Sequence, residues 1–137
     1  MDTGISYSKL DPDTDERFLS LRRELGITTF GINQILLRPG QRGRIHRHLH
    51  QEEVYLVLSG TLTLVIEGEV KSLGKGELAR VAPEVRRFIA NRGDEDLVLI
   101  ALGGSNEHAG RDGEAFESWD QEEGRPPQEV PLPPDER

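Results

Sequence analysis

The stretch Gly40-Gln41-Arg42-Gly43-Arg44-Ile45-His46-Arg47-His48-Leu49-His50-Gln51-Glu52-Glu53, running on to Gly60, decides how this chain reads. Side chains on a strand alternate faces with a period of two. On an extended segment His46, His48 and His50 therefore point the same way. A carboxylate follows five residues after His48. Two imidazoles on one face with a nearby carboxylate form the facial set that leaves positions on a metal open to a substrate or to oxygen. The pattern points to a small-ligand site with a divalent metal, and it names no reaction.

The intervals resemble the first motif of the cupin superfamily. That motif is a glycine, five residues, His-x-His, three or four residues, a glutamate, six residues and a glycine. Gly40, His46, His48, Glu53 and Gly60 meet every interval. The resemblance runs from about Gly31 to Gly104. It implies a single-domain, all-β jelly roll, a small antiparallel β-barrel with the site inside. It also implies His46, His48 and Glu53 as the metal ligands, with His50 in reserve. Glu52 is the alternative in register, but it does not reach Gly60 in six residues. Imidazole and carboxylate without thiolate suit iron, manganese, nickel or zinc. Family members include dioxygenases, isomerases, epimerases, storage proteins and ligand-sensing modules, so the fold leaves the function open.

The second cupin motif is a glycine, five residues, Pro-x-Gly, two residues, a histidine, three residues and an asparagine. Counted from Gly76, the histidine position falls on Arg87 and the asparagine position on Asn91, while Pro83 comes one residue late. A guanidinium cannot ligate a metal. Three roles for Arg87 follow. It forms a salt bridge with Glu53 in place of the metal, it turns outward, or it holds an anionic group of the ligand. The neighbouring Arg80 and Arg86 keep the anion-binding reading open.

The rest of the chain sets limits. Its 137 residues suit one domain with a core. With no cysteine, disulfides, zinc–thiolate sites and cysteine nucleophiles are excluded. No apolar run approaches a membrane span, and Met1–Ser6 shows no signal-peptide pattern, so a cytoplasmic protein is expected. The net charge of −8 is concentrated at the end. Residues 27–106 carry 9 acidic and 10 basic groups, residues 107–137 carry 10 and 3. An acidic chain without a basic stripe is a poor nucleic-acid binder.

Three segments are predicted. Residues 1–26 hold a helix capped by Asp13 or Thr14 and ended by Gly26, with Phe18, Leu21 and Leu25 on one face against the barrel. Residues 27–106 form the barrel, from strands at Thr29–Leu37, Gly43–His48, Glu53–Leu58, Thr61–Glu67, Val70–Leu73, Glu77–Val81, Arg87–Asn91 and Leu97–Leu102. Residues 107–137 form an acidic, proline-rich extension. In it Arg111–Asp120 folds back as a short helix carrying Phe116 and Trp119, and 125–137 is extended or disordered.

The strand after the histidines is apolar on both faces. Glu53, Tyr55 and Val57 share one, and Val54, Leu56 and Leu58 share the other. Something must cover the outer face, and a homodimer is expected. Tyr55 faces the same way as Glu53 and is a candidate acid, base or hydrogen-bond donor. Two readings of function stand together. One is an enzyme of dioxygenase or isomerase type, with the metal as Lewis acid or oxygen binder. The other is a metal-free module that binds a small anionic or sugar-like ligand through Arg87.

Overall fold

The computed structural model describes residues 3–104 and 112–136. Among them, ten short strands form two antiparallel sheets. The first runs, in spatial order, β1 (Phe18–Ser20), β2 (Gly31–Leu37), β9 (Leu97–Gly104), β4 (Glu52–Ser59) and β7 (Leu78–Val81). The second runs β10 (Gly113–Phe116), β3 (Ile45–His48), β8 (Arg87–Ala90), β5 (Leu62–Ile66) and β6 (Glu69–Leu73). This is the all-β, two-sheet barrel that the glycine-punctuated strands predict. No helix among the described residues is long and apolar enough to cross a membrane.

Period-two alternation sorts the side chains between core and outside. Tyr55 and Val57 of β4 and Leu97, Leu99 and Ala101 of β9 point inward and are buried. They meet Leu62, Leu64 and Ile89 of the facing sheet. Burying each such aliphatic group contributes about 1.5–3 kcal/mol. A second apolar cluster covers the outside of the second sheet. Ile45, Val65, Phe88, Ala90 and Phe116 form it, with Trp119 packed against Phe88. The two clusters leave β3 and β8 with apolar outer faces, so their inward positions are free for polar groups.

The predicted N-terminal helix is confined to α1 (Leu21–Leu25). Its cap is Ser20, whose side chain accepts the Arg23 N–H, in place of Asp13 or Thr14. Phe18–Ser20 pairs with β2 instead, Phe18 opposite Ile35. Extending an existing sheet edge satisfies the same backbone groups a first helical turn would, and it brings Phe18 to the rim of the barrel cavity. Gly26 ends the helix in the left-handed conformation, as expected.

The helix predicted between Arg111 and Asp120 does not form over the described part. Gly113–Phe116 is strand β10, paired with β3. Arg111 lies outside the described residues. The segment 125–136 is extended, with one 3-10 turn at Pro127–Glu129. Val130 is buried, the Glu136 N–H donates to Gly40 O, and Arg92 and Arg17 pair with Glu136 and Asp135. This acidic strap is held against the barrel by the buried Val130, the hydrogen bond to Gly40 and its two ion pairs.

Gly60, the last residue of the Gly40–Gly60 motif, has a steric reason to be glycine. Its φ is 78°, and a Cβ there would lie 2.4 Å from the Asp96 carbonyl oxygen and 2.9 Å from Leu97 Cα. Gly60→Ala is expected to cost on the order of 2 kcal/mol or more, through both the left-handed backbone and the clash. Thermal denaturation of the variant checks this; an unchanged midpoint would contradict the tight turn.

Candidate functional site

The site is built across the two sheets. β3 delivers His46 and His48 from the second sheet, and β4 delivers Glu53 and Tyr55 from the first. Each of His46, His48 and Glu53 offers one ligand atom, and these atoms lie within 4.8 Å of one another. Glu52 points outward and pairs with Arg80, so Glu53 is the inward carboxylate. His50 is not brought in. β3 ends at His48, and the His50 side chain, 75% exposed, binds Asp112 with Nδ1 at 2.9 Å from Oδ1.

The two imidazoles meet edge to face, with ring centroids 5.4 Å apart. His46 Nε2 is 3.5 Å from Glu53 Oε1, and His48 Nε2 is 3.6 Å from Glu53 Oε2. His46 Nδ1 is 3.1 Å from the Arg44 carbonyl oxygen. A carbonyl only accepts, so the His46 Nδ1–H donates to it, and Nε2 is left facing Glu53. His48 Nδ1 is buried, lacks a hydrogen bond, and faces Asp112 Oδ2 at 3.8 Å. The separations are too long for good hydrogen bonds. The 3.6 Å between His48 Nε2 and Glu53 Oε2 is close to the edge of about 3.4 Å between two ligands of one tetrahedral ion with bonds of about 2.1 Å. The donor set fits a divalent metal.

Arg87 sits on β8 directly opposite His46 and is 0% exposed. Its Nη2 donates to Glu53 Oε1 at 2.7 Å, its Nη1 to the carbonyls of Val85 at 2.9 Å and Pro83 at 3.4 Å, and its Nε to Tyr55 Oη at 3.4 Å. Those bonds commit the guanidinium inward and leave it little capacity to hold a ligand. Arg86 and Arg80 turn away. Arg86 stacks on Phe116 and donates to the carbonyls of Gln121 and Glu122. The Tyr55 hydroxyl donates to Glu53 Oε1 at 2.5 Å. Glu53 Oε1 is therefore saturated, and Oε2 accepts no hydrogen bond among the described residues.

The electrostatics follow. Burial works against the Glu53 charge, but His46, His48 and Arg87 outweigh it and hold its carboxyl well below the ordinary carboxylate range. Burial and the Glu53 carboxylate push the Tyr55 phenol up, so it stays protonated. Burial also opposes the Arg87 charge, yet Tyr55 and Glu53 more than compensate and keep the guanidinium protonated.

Two cavities meet at His48 and Glu53. The larger, about 420 Å³, is walled by Ile35, Ile89 and Ala101, with Phe18, Pro127 and Gln128 at its rim. The smaller, about 230 Å³, is polar and bordered by Arg22, Arg23, Gln51 and Asp112. Asp112 was not legible as a site residue. Its carboxylate accepts the N–H groups of His50 and Gln51, which fixes the turn between β3 and β4. Arg44, which lines the larger cavity, carried a usable signal, because it shares strand parity with His46 and His48.

Residues 33–103 match the family model for a cupin domain. The chain belongs to the cupin family. A cupin protein of Bacteroides fragilis superposes with a TM-score of 0.63 at 24% identity, over 77% of this chain and 86% of that one. A sugar phosphate isomerase of Silicibacter pomeroyi superposes with a TM-score of 0.65 at 22% identity, over 92% of this chain and 97% of that one. Among curated relatives, the mannose-1-phosphate guanylyltransferase of Salmonella typhimurium is 31% identical over 73 residues. That match takes in 53% of this cupin but 15% of the relative's length.

Proposed function

We propose that this cupin binds a divalent cation through His46 Nε2, His48 Nε2 and the free oxygen of Glu53, and presents it to a small organic ligand in the larger cavity. The observation that supports this reading is the convergence of one ligand atom from each of His46, His48 and Glu53 within 4.8 Å, with His48 Nε2 3.6 Å from the free Glu53 Oε2. The bound cation would supply a Lewis acid that polarises a carbonyl or hydroxyl oxygen of the ligand. Arg87 and Tyr55 act as positioning residues, because both are hydrogen-bonded to Glu53 and orient its carboxylate. Tyr55 holds its proton against Glu53, which favours binding and polarisation over proton abstraction by the phenol. A place among isomerase-type cupins draws support from the name of the Silicibacter structure, whose likeness to this chain is one of fold.

The metal-free module is the second reading, and one observation favours it. The Arg87–Glu53 ion pair at 2.7 Å occupies the register of the family's fourth ligand. A fixed guanidinium near a divalent cation is repulsive. Elemental analysis of chain purified without a histidine tag separates the two. About one equivalent of iron, manganese, nickel or zinc is expected. A chain that stays empty after soaking in each metal overturns the metal reading.

A homodimer belongs to the same proposal. Leu56 pairs with Leu78 on one side and Ile100 on the other, and Val54 with Leu102, giving a continuous apolar strip outside the first sheet. Leu78 is 61% exposed at the edge strand. A second copy would bury it. Light scattering is expected to give twice the 15.4 kDa chain mass. A particle of single-chain mass at tens of micromolar would rule the dimer out.

A further inference from the structure

The larger cavity contains a charge that the metal site does not use. Arg44 lies two residues before His46, just ahead of β3, and its side chain lines the same cavity. Its Nε–H is taken by the carbonyl of Val130 in the C-terminal strap. Among the described residues no carboxylate pairs with it, and its Nη groups donate to no protein acceptor. Three other arginines differ: Arg17 pairs with Asp135, Arg47 with Glu114 and Arg87 with Glu53. Burial works against the Arg44 charge, and Arg17 adds to that. A half-buried cation at a cavity wall, with its donors unspent, is arranged for an anion that comes from outside.

We infer that Arg44 anchors the carboxylate of a small, largely apolar ligand whose other end lies against the His46–His48–Glu53 cluster. The second half of that sentence rests on the proposed metal site; the anchor rests on Arg44 alone. With Nε engaged, the two Nη groups present the parallel N–H pair that matches a carboxylate. Among the described residues Arg44 is the one arginine or lysine lining this cavity. It neutralises a monoanion and leaves a phosphate dianion half compensated. Ile35, Ile89 and Ala101 wall the space between the anchor and the cluster, so the body of the ligand is apolar.

The test titrates the full chain with benzoate, with benzyl alcohol as its neutral counterpart, and with inorganic phosphate, following the methyl resonances of Ile35 and Ile89. Benzoate is expected to shift them saturably and to bind about tenfold or more tighter than the alcohol. Arg44→Gln removes that difference. Arg44→Lys, which keeps the charge and the fold but loses the fork, retains part of it. Arg23→Gln, in the smaller cavity, leaves it unchanged. The inference is overturned if benzoate and the alcohol bind alike, if Arg44→Gln binds benzoate as the wild type does, or if phosphate displaces benzoate at equal concentration. His46→Ala protein separates this from the metal reading. Benzoate held by Arg44 still binds it, whereas benzoate seated on the cation does not, and that loss overturns the anchor. A wild type without metal that still binds benzoate through Arg44 fails the metal reading and keeps the anchor.

Discussion

Alanine at His46 or at His48 is expected to strip the chain of its divalent cation, while alanine at His50 leaves metal content unchanged. Three protein ligands hold the ion in the proposed site, and each histidine supplies one of them through Nε2. Losing one leaves a single imidazole and a carboxylate whose other oxygen is already taken by Arg87 and Tyr55. The affinity should fall by more than about 100-fold, the upper end of what losing a merely supporting residue costs. His50 is outside the cluster and bound to Asp112, so its removal touches no ligand atom. Arg87→His works in the opposite direction. It releases Glu53 Oε1 from its ion pair, removes a cation from beside the site, and places an imidazole opposite His46. Tighter metal binding than in the wild type is expected, read by calorimetric titration with zinc or manganese. Equal metal content in wild type and His46→Ala would exclude this cluster as the site.

The cluster of His46, His48 and Glu53 was legible because its information is local. Strand parity alone places His46 and His48 on one face, and the Gly60 interval selects Glu53 over Glu52. The Arg87 register was legible from the second motif, and the observed cross-strand pairing with His46 agrees with it. Parity misled at His50, because the pattern continues past the point where the strand stops and a turn to β4 begins. It was underused at Arg44, which has the same parity two residues upstream. Asp112 could not be reached this way, since its position depends on β10 pairing with β3 across the chain. The long N-terminal helix failed for a related reason. Residues 14–26 carry acceptable caps and a helical apolar stripe, but the open edge of β2 competes for Phe18–Ser20 and wins. Propensity is weak against tertiary pairing of that kind.

Arg87→Met is expected to destabilise the metal-free chain by about 3 kcal/mol, the low end for breaking a buried ion pair from one side. For a domain of this size that lowers the midpoint of thermal unfolding by roughly 10 °C. The cause is the carboxylate left behind. Glu53 is largely buried, and without Arg87 the Tyr55 hydroxyl is its one close hydrogen-bond donor among the described residues. The double variant Arg87→Met, Glu53→Gln should regain much of the loss, because removing both charges is far less costly than stranding one. Saturating zinc should rescue the single variant as well. A cation on Glu53 Oε2 would neutralise the same carboxylate, and binding to the folded chain alone adds stability by mass action. Rescue by metal in Arg87→Met, and none in the double variant, ties the ion to Glu53. Equal unfolding midpoints with and without zinc in Arg87→Met would mean that the arginine is the only counter-charge this carboxylate has, and would favour the metal-free module.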